Sequence, residues 1–229
     1  MYRLGRPTET PAYNPNFPLV IGGLLAWFDA ADDSTFTYSS GVVVSQWNDK
    51  SGSGRHASQG TVANQPSRSG VQLGPTVVFD GVNDVLTSST FAIAQPISIL
   101  AVFKTTSVAN QYIVGNVTSP SSPSMAIVTP SHLSCYAGTF ISDAGAQNTA
   151  LHQATAILNG ASSSISRDGT TLASGNAGSS TWKQVALGAQ ADGAAPLAGQ
   201  IAEVLVYGAL SGSDRTALES WMRTKWRTP

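Results

Sequence analysis

From Leu24 onward the chain consists of short apolar or alternating runs, each broken by Gly, Pro, Asn or Ser. Runs of this kind, rich in Val, Ile and aromatics, are too short for helices of ordinary length and fit strands joined by turns. Strands are expected at 24–30, 42–48, 76–80, 84–88, 97–104, 111–117, 124–129, 132–138, 152–158, 163–169, 184–190 and 199–208. No repeat of fixed period appears, which argues against a propeller or solenoid. The expectation is an all-β, two-sheet antiparallel sandwich. One helix stands apart, "SGSDRTALESWMRTKW" from Ser211 to Trp226. Ser211 followed by Asp214 resembles a capping box, Leu218, Trp221 and Met222 form an apolar stripe, and Arg223 and Lys225 lie where the helix dipole favours cations. Such a helix should lie as a lid on the β body, with Trp221 and Trp226 as packing residues.

At 229 residues the chain can bury a sizeable core as a single domain. Only 11% of residues are charged and the formal net charge is -1, with no basic cluster. Neither nucleic acid nor an anionic membrane surface is therefore expected as a partner, and no run is long enough to insert into a membrane. Cys135 is the single cysteine, so an internal disulfide and a cysteine-based metal site are both excluded, and a buried thiol is expected. Residues 1–22 carry Pro7, Pro11, Pro15 and Pro18 among polar residues and read as an extended arm preceding a domain over 23–229. Tyr2, Arg3, Leu4, Arg6, Tyr13 and Phe17 are the arm's candidate attachment residues. The N-terminus lacks the apolar centre of a secretory signal, from which synthesis in a host cytoplasm is expected.

The ordered pieces "LLAWFDAAD", "VSQWNDKSGSGRHASQ", "TVVFDGVNDVL", "SISRDGTTL" and "VALGAQADGAAPLAGQIAEVLVYGALSGSDRTALESWMRTKW" resemble laminin-G-like, concanavalin-A-like jelly-roll domains. They are most similar to the versions found in phage virion or tail proteins and in bacterial surface proteins, over about residues 23–227. The resemblance implies two antiparallel sheets and rim loops that in some members bind sugars or calcium. It does not imply one function, because the fold carries several.

Side chains must then decide. The related glucanases carry Glu-x-Asp-x-Glu on one strand, and glycoside hydrolysis ordinarily needs two acids. Here the only glutamates are Glu9, Glu203 and Glu219, in no such motif. There is no Gly-x-Ser-x-Gly elbow, phosphate loop or dinucleotide fingerprint, and His56, His132 and His152 are scattered. The expectation is a protein that is not an enzyme. Asp29, Asp32, Asp33, Asp49, Asp80, Asn83 and Asp84 gather near the first strands, where they serve either calcium or turns; no resident cofactor is expected, with calcium as the alternative. Sugar binding would need an exposed ring beside polar groups, for which Trp182, Tyr112 and Tyr136 are the candidates, with Phe140 and Tyr38 behind them.

The segment "WNDKSGSGRHASQ", Trp47–Gln59, looks reactive but reads as a structural corner. Trp47 is expected to pack, Asp49 to accept backbone N–H bonds, and Gly52 and Gly54 to supply left-handed backbone. His56 and Arg55 are expected to reach carboxylates such as Asp49 or Asp80, tying the corner to the "FDGVND" turn of Asp80 and Asp84. Two functions remain open on these grounds. One is a structural phage-particle protein, a capsid decoration or tail component held to other virion proteins by its arm in many copies or as a homo-oligomer. The other is a lectin-like module that binds a surface glycan.

Overall fold

A computed structural model describes residues 13–69, 74–107, 109–117, 123–128 and 132–229. The strands are β1 (Leu24–Asp29), β2 (Phe36–Ser40), β3 (Val43–Trp47), β4 (Ala57–Ser58), β5 (Ser67–Ser69), β6 (Thr76–Asp80), β7 (Leu86–Thr87), β8 (Ile97–Thr105) and β9 (Gln111–Gly115). There follow β10 (Ser124–Val128), β11 (His132–Tyr136), β12 (Phe140–Ala146), β13 (His152–Leu158), β14 (Ser163–Arg167), β15 (Thr170–Gly175), β16 (Ala186–Leu187), β17 (Ala198–Tyr207) and the helix α1 (Gly212–Trp226).

The centre is β17. It pairs along its whole length with β8, while its other edge is shared by β1, opposite residues 203–207, and β6, opposite residues 198–201. From β8 the antiparallel ladder continues through β13, β14 and β15. From β6 it runs through β5 to β3, which also holds β2, and then through β4, β7, β16, β9, β10 and β11 to β12. The two ends come together where β12 lies against β14 and β15. Hydrogen bonding is thus continuous around a nearly closed antiparallel β body with one C-terminal helix. This corrects the expectation of two separate sheets. The residue-level reason is β6, whose Val77 and Val78 pair with Ile201 and Gln200 on one side and with Arg68 and Ser67 on the other.

Both β8 and β17 are buried at almost every position, so they read as unbroken apolar runs rather than alternations. Their inner side chains join Trp27, Phe28, Trp47 and Phe79 in one core. Their outer face is covered by α1, where Leu218, Trp221, Met222 and Trp226 are buried. The helix starts as its sequence predicts: the Asp214 N–H donates to Ser211 Oγ at 3.1 Å and the Ser211 hydroxyl donates to Asp214 Oδ2 at 2.7 Å.

Residues 13–22 belong to this packed body. Tyr13 stacks on Trp221 with centroids 5.8 Å apart and an interplanar angle of 8°, Phe17 tilts against the same ring, and the Trp221 indole N–H donates to the Asn14 carbonyl at 2.8 Å. Tyr207 donates its hydroxyl to the Pro18 carbonyl. Tyr13 and Phe17, expected to attach the arm to a partner, are therefore engaged with the chain's own helix. Tyr2, Arg3, Leu4 and Arg6 lie outside the described residues. No helix among the described residues is long and apolar enough to cross a membrane.

Candidate functional site

The Trp47–Gln59 corner is built around Asp49. Its Oδ1 accepts from the backbone N–H of Trp27 and Ser51, and its Oδ2 from Arg55 N–H and the Ser51 hydroxyl. Gly52 and Gly54 hold φ of +85° and +70°, the left-handed region that glycine enters without strain. His56 Nδ1 accepts the Asp49 backbone N–H, and Arg55 donates to the Leu25 carbonyl and lies over the Phe91 ring. The corner is therefore tied to β1, and the expected tie from Arg55 and His56 to Asp80 is not made. Trp47 is fully buried against Phe28 and Phe36. The "FDGVND" turn satisfies itself: Asp80 Oδ1 accepts from Val82 and Asn83 N–H, and Asp84 Oδ2 accepts from Asp80 N–H. Burial, with the neighbouring Asp80 charge adding to it, pushes Asp84 up to about 6 despite that backbone bond. Among the described residues no group of three or more acids, histidines or cysteines is placed to hold a metal ion.

A second cluster had no signal in the sequence. Glu203 and Asp29 are direct partners across β17 and β1. Glu203 Oε1 accepts from Trp27 Nε1 and Lys225 Nζ, both at 2.8 Å, and its Oε2 accepts from Trp226 Nε1. Lys225 also reaches Asp29 Oδ1 at 2.7 Å, and Lys50 bridges Asp29 and Asp32. Burial raises the Glu203 carboxyl above its ordinary range, opposed by Lys225 and reinforced by Asp29. Both carboxylate oxygens of Glu203 are occupied by the helix and by β1, so this pair fastens α1 to the body. In the sequence Glu203 is a glutamate outside any motif, and its partner Lys225 is a helix-end cation. The cavity beside it, about 620 Å³, is lined by Asp29, Asp32, Lys50 and Lys225, groups already paired with one another.

The third location has the chemistry of a recognition site. On β10 and β11, Met125, Ile127, Leu133 and Cys135 join the core, and the alternate side chains Ser124, Ala126, Val128, His132, Ser134 and Tyr136 fall on the opposite face. A register shift against β10 brings Tyr112 opposite Ala126, so Tyr112 stands on that outer face. The small Ala126 makes a floor. Tyr112 and Phe140 stand beside it, and Asn110, Gln111, Val128, Gln190 and Ala195 complete a groove of about 490 Å³. Tyr136 packs against Phe140 with centroids 4.5 Å apart, continuing the aromatic wall. Phe140 is 43% exposed, an unusual position for a phenylalanine.

The Tyr112 hydroxyl is fixed electrically as well as sterically. Burial raises its pKa; a hydrogen bond from the Gln190 side chain opposes the rise, and Tyr136 and Asp192 add to it. A bond that lowers a phenol's pKa is one donated to its oxygen. The Gln190 side chain is thus a hydrogen-bond partner of the Tyr112 phenol. Gln190 sits on the loop between β16 and β17, shaped by bonds from Gln190 N–H to Ala194 O, Gly193 N–H to Gln190 O and Ala191 N–H to Asn116 O.

Of the three ring candidates, the structure brings Tyr112 and Tyr136 to one face and removes Trp182. That ring is wholly buried, edge-on to Phe91 at 4.8 Å, and its backbone pairs with Ile93. The expectation that Trp182 is exposed at the rim is corrected: its neighbours 179–181 and 183–184 are polar, but the bridge to Ile93 turns its side chain inward. Asn110, Gln111 and Gln190 were not singled out by sequence reasoning, since isolated amides in turns carry no pattern.

Comparison with known proteins places the fold. No protein-family model matches the sequence, and no curated protein does. Solved structures do. Trypanosoma rangeli sialidase in complex with sialic acid superimposes with a TM-score of 0.60 at 15% identity, over 90% of this chain and 34% of that one. Domain 4 of AbnA, a GH43 extracellular arabinanase from Geobacillus stearothermophilus, in complex with arabinotriose, gives a TM-score of 0.58 at 14% identity over 86% of this chain and 98% of that one. An arabinofuranosidase complexed with arabinofuranosyl-alpha-1,2-xylobiose gives 0.58 at 13% identity, covering 89% and 59%. The chain spans about a third of the sialidase and nearly all of the arabinanase domain. At these identities the likeness is one of fold. It overturns the expectation that the chain is not an enzyme, because these neighbours are glycoside hydrolases or a domain of one. The missing Glu-x-Asp-x-Glu motif is a test for one family only.

Proposed function

We propose that this chain is a carbohydrate-recognition domain of laminin-G-like, concanavalin-A-like jelly-roll type, its two layers stitched together at β5 and β6, which binds an oligosaccharide in the groove of Tyr112 and Phe140. The observation that carries the reading is the pairing of the exposed Phe140 ring and the half-buried Tyr112 ring with amides around a small-residue floor. A sugar ring has one face of C–H bonds and an equator of hydroxyls. The first packs on an aromatic ring, and the second needs donors and acceptors held in place, which Asn110, Gln190 and the Tyr112 hydroxyl supply. Fold neighbours whose bound ligands are sialic acid, arabinotriose and an arabinofuranosyl xylobiose support the ligand class.

The test is isothermal titration with arabino-, xylo- and gluco-oligosaccharides, followed by Tyr112→Ala and Phe140→Ala. Each variant is expected to weaken binding at least about tenfold, a loss of about 1.4 kcal/mol, while circular dichroism stays native. Binding by the intact domain that neither substitution alters would defeat the assignment. Attachment to a phage particle is a second reading, favoured by one feature: Tyr13, the first described residue, is fixed on the body by stacking on Trp221. Deleting residues 1–12 should leave the domain folded and abolish its incorporation into particles; unchanged incorporation would end that reading.

A further inference from the structure

We infer that the groove of Tyr112 and Phe140 selects neutral glycans and disfavours those bearing carboxylates, an inference that rests on the glycan-binding reading above and deepens it. The described residues lining the groove are amides, an aromatic phenol, a phenyl ring and aliphatic groups, without Lys, Arg or His; His132 stands on the same face beyond the lining, opposite Val128. Asp192, a formal negative charge, is exposed on the same loop as Gln190, and its field favours the neutral form of the Tyr112 phenol.

Two effects act in the same direction on an acidic sugar. Its carboxylate must give up part of its hydration on entering the groove, and no described lining cation compensates for that loss. It also meets the field of Asp192. A neutral sugar pays neither cost. Its hydroxyls each offer a donor and two acceptor positions, which suits a mixed set of amide N–H, amide C=O and a phenolic O–H. The likeness to a sialidase with bound sialic acid therefore extends to the fold and not to the charge of the ligand this groove accepts.

The experiment compares matched pairs that differ by a carboxylate, lactose against sialyllactose and galactotriose against trigalacturonate, by titration calorimetry at low and high salt. Arabinotriose and xylotriose serve as further neutral probes. The neutral members are expected to bind, with the acidic members at least about tenfold weaker at low salt and the gap shrinking as salt screens the field. Asp192→Lys reverses the charge on an exposed side chain and is expected to narrow the gap at least about threefold at low salt. An acidic member that binds as tightly as its neutral partner overturns the inference while leaving glycan binding intact. A gap that neither salt nor Asp192→Lys alters overturns the electrostatic cause. If no neutral or acidic probe binds, the glycan-binding reading itself falls.

Discussion

Replacing Lys225 by Met gives the strongest test of how this molecule is held together. The Lys225 ammonium lies 2.7 Å from Asp29 Oδ1 and 2.8 Å from Glu203 Oε1, with Glu203 fully buried. At an effective dielectric of about 20, each contact at this distance is worth roughly 6 kcal/mol before desolvation, which removes several kcal/mol per ion. The net value of the ion pair is therefore small, but the cost of deleting one partner is not. Met keeps an apolar side chain of similar length beside the Trp221 and Trp226 rings and leaves Glu203 buried without a cation, facing an Asp29 that retains only Lys50. A loss of about 3–5 kcal/mol is expected, a large fraction of the stability of an ordinary domain. The more exposed Lys50–Asp32 pair gives the contrast, and Asp32→Ala should cost about 0–1 kcal/mol. Urea denaturation followed by tryptophan fluorescence reads both, with an unchanged slope showing that only stability moved. The sign with pH is fixed. Glu203 already has a raised folded-state pKa, and without Lys225 it rises further, so the variant regains stability as pH falls and the carboxyl takes up a proton. A loss below about 1 kcal/mol, or a deficit that widens in acid, would refute the reasoning.

Three further outcomes are expected. Asp49→Ala strands the backbone N–H groups of Trp27, Ser51 and Arg55, and should cost about 3 kcal/mol in urea denaturation while leaving oligosaccharide affinity unchanged in the folded fraction. Burial pushes the folded-state pKa of Asp84 up to about 6, above the ordinary aspartate range, so its contribution favours folding most below about pH 4 and is lost as pH rises through 6. Asp84→Asn should flatten that part of the stability profile, measured as melting temperature against pH. Gly188 holds φ of +81° and a Cβ there would overlap the Phe79 ring, so Gly188→Ala should destabilise by at least about 2 kcal/mol and shift the thermal midpoint accordingly.

How much of this was legible in the sequence depended on whether a residue's partner was local. The strands 76–80 and 152–158 lie where their alternation and apolar content put them, and α1 follows its Ser211 cap and Leu218–Met222 stripe. The edge strands β2, β12 and β15 escaped notice because their runs, "FTYSS", "FISDAGA" and "TTLASG", mix a few large apolar side chains with Ser, Thr, Gly and Ala in no clean alternation, although each pairs with the strand next to it in the chain. The Asp49 corner was readable because its bonds close mostly within a few residues. The Glu203 cluster was not, since Trp27, Asp29, Lys225 and Trp226 are brought to it by the pairing of β1 with β17 and by the docking of α1. Tyr112 and Tyr136 were singled out as rings, yet only the register shift in β9 puts the first on the outer face, and only the bridge to Ile93 takes Trp182 off it.

That division also explains why the recognition surface can change without loss of the fold. The β16–β17 loop approaches β9 at Gly115, where a Cβ would overlap the Ala189 carbonyl, so the loop's seat is set by the absence of a side chain. Beyond that seat, the loop carries backbone bonds of Gln190, Ala191, Gly193 and Ala194, and Asp192 Oδ1 accepts the Ala194 N–H at 3.0 Å. Gln111 is held through its side chain, which donates to Thr105 Oγ1 and the Ser107 carbonyl and accepts from the Ala198 N–H. Substitution of the Gln190 side chain therefore leaves the backbone bonds of the loop in place, while the charged cluster under α1 holds the framework that presents it.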